Sequence, residues 1–241
     1  MDAQLKLPET QEIPLVCRSC EARHGGVCST LTSQQLSELN KHSQRRAVDA
    51  GAELIGQGEL VTSYSNILNG VVKLSKIMAD GRQQIVGLQF APDFMGRPFL
   101  GESLMTAEAA TDTELCVLPR RLLERMIAES PELGAKLHRQ ALTELDEARD
   151  WMLTLGRKSA REKVASLLMM IASHTEPDHP RNRAFDLPLS RADIADFLGL
   201  TIETVSRQMT KLRKDGIIHV ENNRHVVVPD FDRLAVAAGG D

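Results

Sequence analysis

The chain has 241 residues, of which 42% are hydrophobic and 26% charged, so it carries material for two domains with a core in each and the ordinary composition of a globular protein. Its opening, Met1-Asp2-Ala3-Gln4-Leu5-Lys6-Leu7-Pro8, has no basic stretch leading into an apolar run, and no later stretch is apolar for long enough to span a bilayer. We therefore expect no secretory signal, no membrane partner and a cytoplasmic location, and the net charge of −4 does not exclude nucleic acid, because from Arg157 onward 13 Lys+Arg stand against 12 Asp+Glu.

In chain order, residues 1–16 carry Pro8 and Pro14 with little periodicity and read as a mobile leader. The next stretch crowds Cys17, Cys20 and Cys28 into twelve residues with the spacing C-x2-C-x7-C and a flexible Gly25-Gly26 pair; Cys116 follows far downstream in Thr113-Glu114-Leu115-Cys116-Val117-Leu118. Four thiolates converging on one point suit a metal or an iron-sulfur centre, and a reducing compartment favours ligation over cross-linking. Spacing alone fits zinc as well as iron, and leaves disulfide pairing or plain burial open.

Thr32 to Lys41 reads as a short helix with Ser33 as its N-cap. From about Arg46 to Leu118 the pattern is of short β-rich runs broken by Gly, Asn and Asp. The clearest pair is Val71 to Met78 and Arg82 to Leu88 around Ala79-Asp80-Gly81, a turn whose Asp-Gly pair tolerates positive φ. Several such strands with no helix between them imply an antiparallel roll or barrel.

After Cys116 the pattern turns helical. Pro119 opens a helix over Arg120 to Ala128, and Ser130-Pro131-Glu132 starts a longer one running to about Gly156. Leu137, Ala141, Leu145, Ala148, Met152 and Leu155 recur along it at spacings of three and four, continuing a stripe begun at Leu133, and read as the seam of a two-fold homodimer; the alternative is a helix lying along the roll. Glu144, Asp146, Glu147 and Asp150 flank the seam, either as a solvated face or as like charges that keep a dimer marginal.

Ser159 to Ser173 is a further helix and Thr175 to Asn182 a turn or linker. Ser190-Arg191-Ala192-Asp193 then opens a short helix with a capping box, Gly199 ends it, and Thr201 caps a second helix, Ile202 to Lys214, stopped by Asp215-Gly216. Two short helices across a tight Gly turn make a helix-turn-helix, whose second helix enters the major groove of double-stranded DNA. Ile217 to Val220 and His225 to Val228, joined by Glu221-Asn222-Asn223-Arg224, form a hairpin wing. Val205, Met209 and Leu212 face inward, leaving Glu203, Ser206 and Arg207 outward near the helix start. Arg207 can donate twice to guanine O6 and N7, Glu203 can accept from cytosine N4, and Ser206 is permissive, while Thr201, Thr204, Lys211 and Arg213 suit phosphates. The competing reading, two amphipathic helices in an ordinary core, leaves the cap, Gly turn, basic tail and wing without a common purpose.

The chain thus divides into a cysteine-rich segment (1–30), a β-roll (31–130), a long helix (131–157) and a winged helix-turn-helix (158–241), an α+β protein. With Leu200-Thr201-Ile202-Glu203-Thr204-Val205-Ser206-Arg207 in the second helix, it resembles the Crp/Fnr transcription regulators over essentially its full length. Its cysteines are most similar to those of the Fnr-type oxygen sensors of the FnrL/FnrN/AadR branch. The resemblance implies a cyclic-nucleotide-binding-like roll, a 4Fe-4S cluster held by Cys17, Cys20, Cys28 and Cys116 that stabilises the dimer when oxygen is absent, and a return to monomers when oxygen converts the cluster. It also implies palindromic sites with TTGAT-type halves, read by Glu203, Ser206 and Arg207 to activate or repress genes. By the same resemblance the hairpin tip, Met78, Asp80, Gly81 and Arg82, touches RNA polymerase; from the residues alone it is equally a solvated turn.

Nucleotide-binding relatives hold the cyclic phosphate with an Arg-Ser pair, but residues 101–110 here contain no Arg, and Glu102 and Glu108 would repel a phosphate. Other readings are a structural four-thiolate zinc site with some other effector, or haem ligated by His24 or a cysteine. An enzyme is not indicated, since no nucleophile-base constellation, phosphate-cradling Gly loop or catalytic carboxylate pair is legible.

Overall fold

The computed structural model describes residues 13–175 and 183–240. Most of the expected leader (1–12) and nearly all of the expected 175–182 linker lie outside them; Leu15 and Val16, read as leader, are helical. Two single-turn helices, α1 (Leu15–Arg18) and α2 (Glu21–His24), and a 3-10 turn at Val27–Thr30 make up the cysteine segment. Helix α3 (Ser33–His42) follows, capped by Thr32 and not by Ser33: the Thr32 hydroxyl accepts from the Gln35 N–H while the Gln35 side chain accepts from the Thr32 N–H, a reciprocal pairing that Ser33 is one residue too late to make.

The roll comprises β1 (Gln44–Val48), β2 (Glu53–Ile55), β3 (Ser63–Asn69), β4 (Val71–Ile77), β5 (Gln83–Phe90), β6 (Phe94–Met95), β7 (Thr106–Ala109) and β8 (Thr113–Pro119). They form two antiparallel sheets ordered β1-β8-β3-β6 and β2-β7-β4-β5, closed around Val48, Ile67, Val72, Ala107, Ala109 and Leu115. Helix α4 (Arg120–Glu129) leads into α5 (Pro131–Arg157), where Pro131 occupies the first turn and the Ser130 hydroxyl accepts from the Leu133 N–H. Leu122, Leu123, Met126 and Leu133 pack with Tyr64, Phe94 and Leu118 of the roll and with Val27 and Cys28 of the cysteine segment, so that segment shares the core on which α5 starts.

Helix α6 (Ala160–Thr175), β9 (Arg183–Asp186), α7 (Arg191–Leu198), α8 (Ile202–Lys214), β10 (His219–Glu221), β11 (His225–Val228) and α9 (Phe231–Ala237) form the C-terminal domain. The α7–α8 turn is built as expected. Ser190 and Asp193 make the capping box, Gly199 adopts φ +61°, a conformation costly for any residue with a Cβ, and Thr201 caps α8. The wing is a three-stranded antiparallel sheet, β10-β11-β9, with one strand more than expected, and β10 begins at His219 and not at Ile217, because Ile217 and Ile218 turn into the core. Helix α9 is a further addition. Among the described residues, no helix is long and apolar enough to cross a membrane.

Candidate functional site

The four thiols are free and lie on four different supports. Cys17 is in α1, Cys20 stands at the N-cap of α2, Cys28 is buried in the 3-10 turn, and Cys116 is a mid-strand residue of β8. Cys116 sits opposite Arg45 on β1 and Asn66 on β3, so the three side chains share one face of the sheet. From that face Asn66 donates its Nδ2–H to the Cys28 sulfur at 3.4 Å, while its Oδ1 is buried with no partner.

The thiols sense one another. Burial first, and then the neighbouring Cys116, Cys20 and Cys17, push the Cys28 thiol up to about 12 against the amide of Asn66, which pulls down. Burial also raises Cys116, helped by Cys20 and Cys17 and opposed by Ser43 and Arg45, and it raises Cys17, helped by Cys20. Such thiols stay protonated and inert unless a cation takes the proton's place. Four free sulfurs, with an amide donor aimed at the most buried one, fit a sulfur-ligated metal or cluster by donor type. Among the described residues, no three His, Cys, Asp or Glu side chains converge into a preformed metal site.

Residues that sequence reasoning missed hold this segment in place. The Arg45 Nη2 donates to the Val16 carbonyl at 3.2 Å, and the Lys136 Nζ, from α5, donates to the Gly25 carbonyl at 3.0 Å. Gly26 passes so close to its surroundings that a Cβ there would meet the Ala22 backbone and the Pro92 carbonyl at 2.9 Å. His24, considered above as a haem ligand, turns its Nε2 to the Arg18 carbonyl at 3.1 Å.

The α5 stripe divides by position. Leu137 packs on the N-terminal core and Leu155 on the C-terminal one, both half-buried, but every residue from 141 to 150 is exposed. Ala141, Leu145 (44% exposed), Ala148 and Met152 (73%) therefore present an apolar edge at heptad spacing that no other described residue covers. A cavity of about 500 Å³ lies between this helix, β5 and α6, walled by Trp151 and by Asp93, Glu144, Glu147 and Asp150. The walls of this cavity shed water from the exposed Glu144 and Glu147, and this partial desolvation, then repulsion from Asp93 and from the next carboxylate along the helix, holds both above the usual carboxylate range, a field hostile to a phosphate. On the roll itself Glu108 is paired with Lys73 at 2.9 Å.

The reading helix matches its expected faces. Val205, Met209 and Leu212 are buried; Glu203, Ser206 and Arg207 are exposed together near the N-terminal end, with Lys211 and Arg213 exposed beyond. The Thr201 hydroxyl is committed to capping, accepting from the Thr204 N–H at 3.2 Å, and half-buried Thr204 accepts from Arg207 at 3.4 Å, which parks the guanidinium along the helix. Its own backbone N–H, then Thr201, hold the Glu203 carboxylate below its ordinary range, so it stays an acceptor. The roll's hairpin tip, residues 78–82, is exposed, with Asp80 and Arg82 ion-paired at 2.8 Å and Met78 uncovered.

A roll, a long helix with a bare apolar edge and a winged helix-turn-helix with exposed reading side chains define a DNA-binding transcription regulator. Residues 45–130 match the cyclic nucleotide-binding domain model and residues 162–237 the Crp-like helix-turn-helix domain. A probable transcriptional activator of Rhizobium leguminosarum bv. viciae is 66% identical, covering 92% of each chain. The transcriptional activator protein FnrL of Cereibacter sphaeroides is 42% identical over 95% of this chain and 96% of its own. The solved structure of FixK2 from Bradyrhizobium japonicum superposes with a TM-score of 0.74 at 31% identity, covering 81% of this chain and 96% of that one. The chain belongs to the Crp/Fnr family of transcription regulators.

Proposed function

We propose that this regulator is an oxygen-responsive transcriptional activator of the FnrL type, which binds palindromic TTGAT-type sites as a homodimer and holds a 4Fe-4S cluster on Cys17, Cys20, Cys28 and Cys116. The observation that carries the reading is the placement of four free thiols around the core on which α5 starts, with Asn66 donating to the most buried of them. Such a cluster, when bound, supplies an oxygen-labile link between sulfurs. The chain's own residues supply the rest. Lys136 joins the cysteine segment to α5, Gly26 lets it pack flush, and the shared core around Leu133 ties the segment to the start of the long helix. What orders the segment therefore bears on the edge formed by Ala141, Leu145, Ala148 and Met152, and a dimer brings two reading helices about one DNA turn apart, roughly 34–36 Å.

The acidic cavity and the Arg-free roll segment support a signal other than a cyclic nucleotide. The exposed tip carrying Met78, Asp80, Gly81 and Arg82 supplies the surface for RNA polymerase in this reading. The absorption spectrum of protein purified without air, with iron and sulfide counted, tests the sensing half. Broad visible absorption with four irons per chain is expected; a colourless protein carrying zinc would overturn it and leave the DNA-reading half standing.

A further inference from the structure

The first helix of the DNA-reading motif is clasped to the roll of its own chain. Lys73, mid-strand on β4 and only 12% exposed, places its ammonium 2.7 Å from Asp193 in the first turn of α7 and 2.9 Å from Glu108, its cross-strand neighbour on β7. On the adjacent strand the Gln84 Nε2 donates to the Phe197 carbonyl, in the last turn of α7, at 2.9 Å. The two arms grip the helix at both ends. Between them Val71, Ile85 and Phe90 of the roll join one continuous apolar core with Ile194, Phe197 and Leu198 of α7. Trp151 of α5 also meets the Phe197 ring edge-on, with centroids 4.7 Å apart.

We propose that Lys73, bridging Glu108 and Asp193, is a positioning residue for DNA reading: with Gln84 it fixes the pose of the helix-turn-helix on the roll, and thereby the separation of the two reading helices in the dimer. A dimer of this kind can present its reading helices in register with successive major grooves only if each head is held rigidly relative to the seam. The clasp does this without touching α8, whose Glu203, Ser206 and Arg207 remain exposed while α7 is gripped. An ion pair this well shielded, with both of its carboxylates held by one ammonium, resists the salt that weakens surface pairs. Burial works against the Lys73 charge, but Asp193 and Glu108 more than offset it and leave its pKa above the ordinary lysine value. Asp193 is also one half of the α7 capping box, so the clasp is built into the start of the motif itself.

This inference rests on the DNA-reading half of the proposed function and is independent of the cysteines. The test uses full-length protein purified without air and a duplex that the parent selects from randomised half-sites, together with versions whose half-sites are one base pair closer or farther apart. Lys73→Met and Gln84→Ala are each expected to weaken binding to the parent spacing about tenfold and to flatten the preference among spacings, with dimer mass unchanged. Lys73→Arg, which keeps the charge, is expected to restore both. Gln84→Ala removes one arm without exposing a buried carboxylate, so it reports even where Lys73→Met lowers the yield of folded protein. Parent-like affinity and spacing preference in the variants, or a loss equal at every spacing, or one that tracks loss of dimer, would overturn the proposal.

Discussion

Lys136 reaches from the second turn of α5 to the carbonyl of Gly25, 3.0 Å away, midway between Cys20 and Cys28. This bond crosses from the segment that carries three thiols to the helix that carries the apolar edge. Replacing Lys136 with Met keeps the alkyl stem and removes the donor. One exposed hydrogen bond is worth about 0.5–1.5 kcal/mol, so the dimer constant should fall roughly two- to tenfold while iron content stays at the parent value. Sedimentation equilibrium with iron counted in the same sample checks both.

Gly26→Ala tests the seat of the segment. The added methyl would sit 2.9 Å from backbone atoms of Ala22 and Pro92, none of them the end of a flexible side chain, so the segment must shift. We expect a loss of about 1–3 kcal/mol by thermal melting and faster loss of iron in air. A parent-like melt would show that the segment is not seated there.

Leu145→Glu tests the apolar edge. Leu145 is 44% exposed in the chain, so the fold should tolerate the change within about 0.5 kcal/mol, while a carboxylate facing its own symmetry mate beside Glu144 opposes pairing. Light scattering should give a monomer with and without air, and binding to a palindrome should drop to the level of a single half-site.

On the reading helix, Arg207→Ala should cost about 1–3 kcal/mol and relax the preference for guanine at one position of each half-site. Lys211→Ala should weaken binding alike on all sequences and lower the salt slope by about 1 for each phosphate that the lysine neutralises. Titration of each variant against half-site variants at several salt concentrations separates the two roles.

The clasp has a defined pH range. Burial pushes the Asp193 carboxyl up, but Lys73 and Ser190 together hold it below its ordinary 3.8, and Lys73 stands above 10.5. A depressed acid contributes stability that is present above its unfolded value and lost as pH falls through the folded one; a raised lysine contributes stability present below its unfolded value and lost as pH rises through the folded one. The stability gap between the parent and Asp193→Asn should therefore be constant from about pH 5 to pH 9 and close on either side. Trp151, the single tryptophan, lies against Phe197 and reports the clasp by its fluorescence.

Much of the DNA-reading half was legible because its signals are local. Ser190, Asp193, Gly199 and Thr201 lie within a dozen residues of one another, and each does in the structure what its type and spacing demand. The misses are matters of distance in sequence. Strand β9 exists because it pairs with β11, where His225 and Asp186 are 39 residues apart, and Lys73 meets Asp193 across 120. The cap of α3 slipped by one residue because Thr32 and Ser33 are both competent and only the position of Gln35 decides. The spacing of Cys17, Cys20 and Cys28 drew attention to itself, but Asn66, Arg45 and Lys136, which give those sulfurs their surroundings, carry no motif and emerge only from strand register and helix packing.

In the proposed function the four sulfurs, gathered on iron, govern pairing along α5. The decisive experiment is sedimentation of protein purified without air, with iron measured across the boundary, before and after exposure to air. Iron should travel with a dimer, and air should leave an iron-poor monomer; a mass that does not change as the iron is lost would overturn this reading.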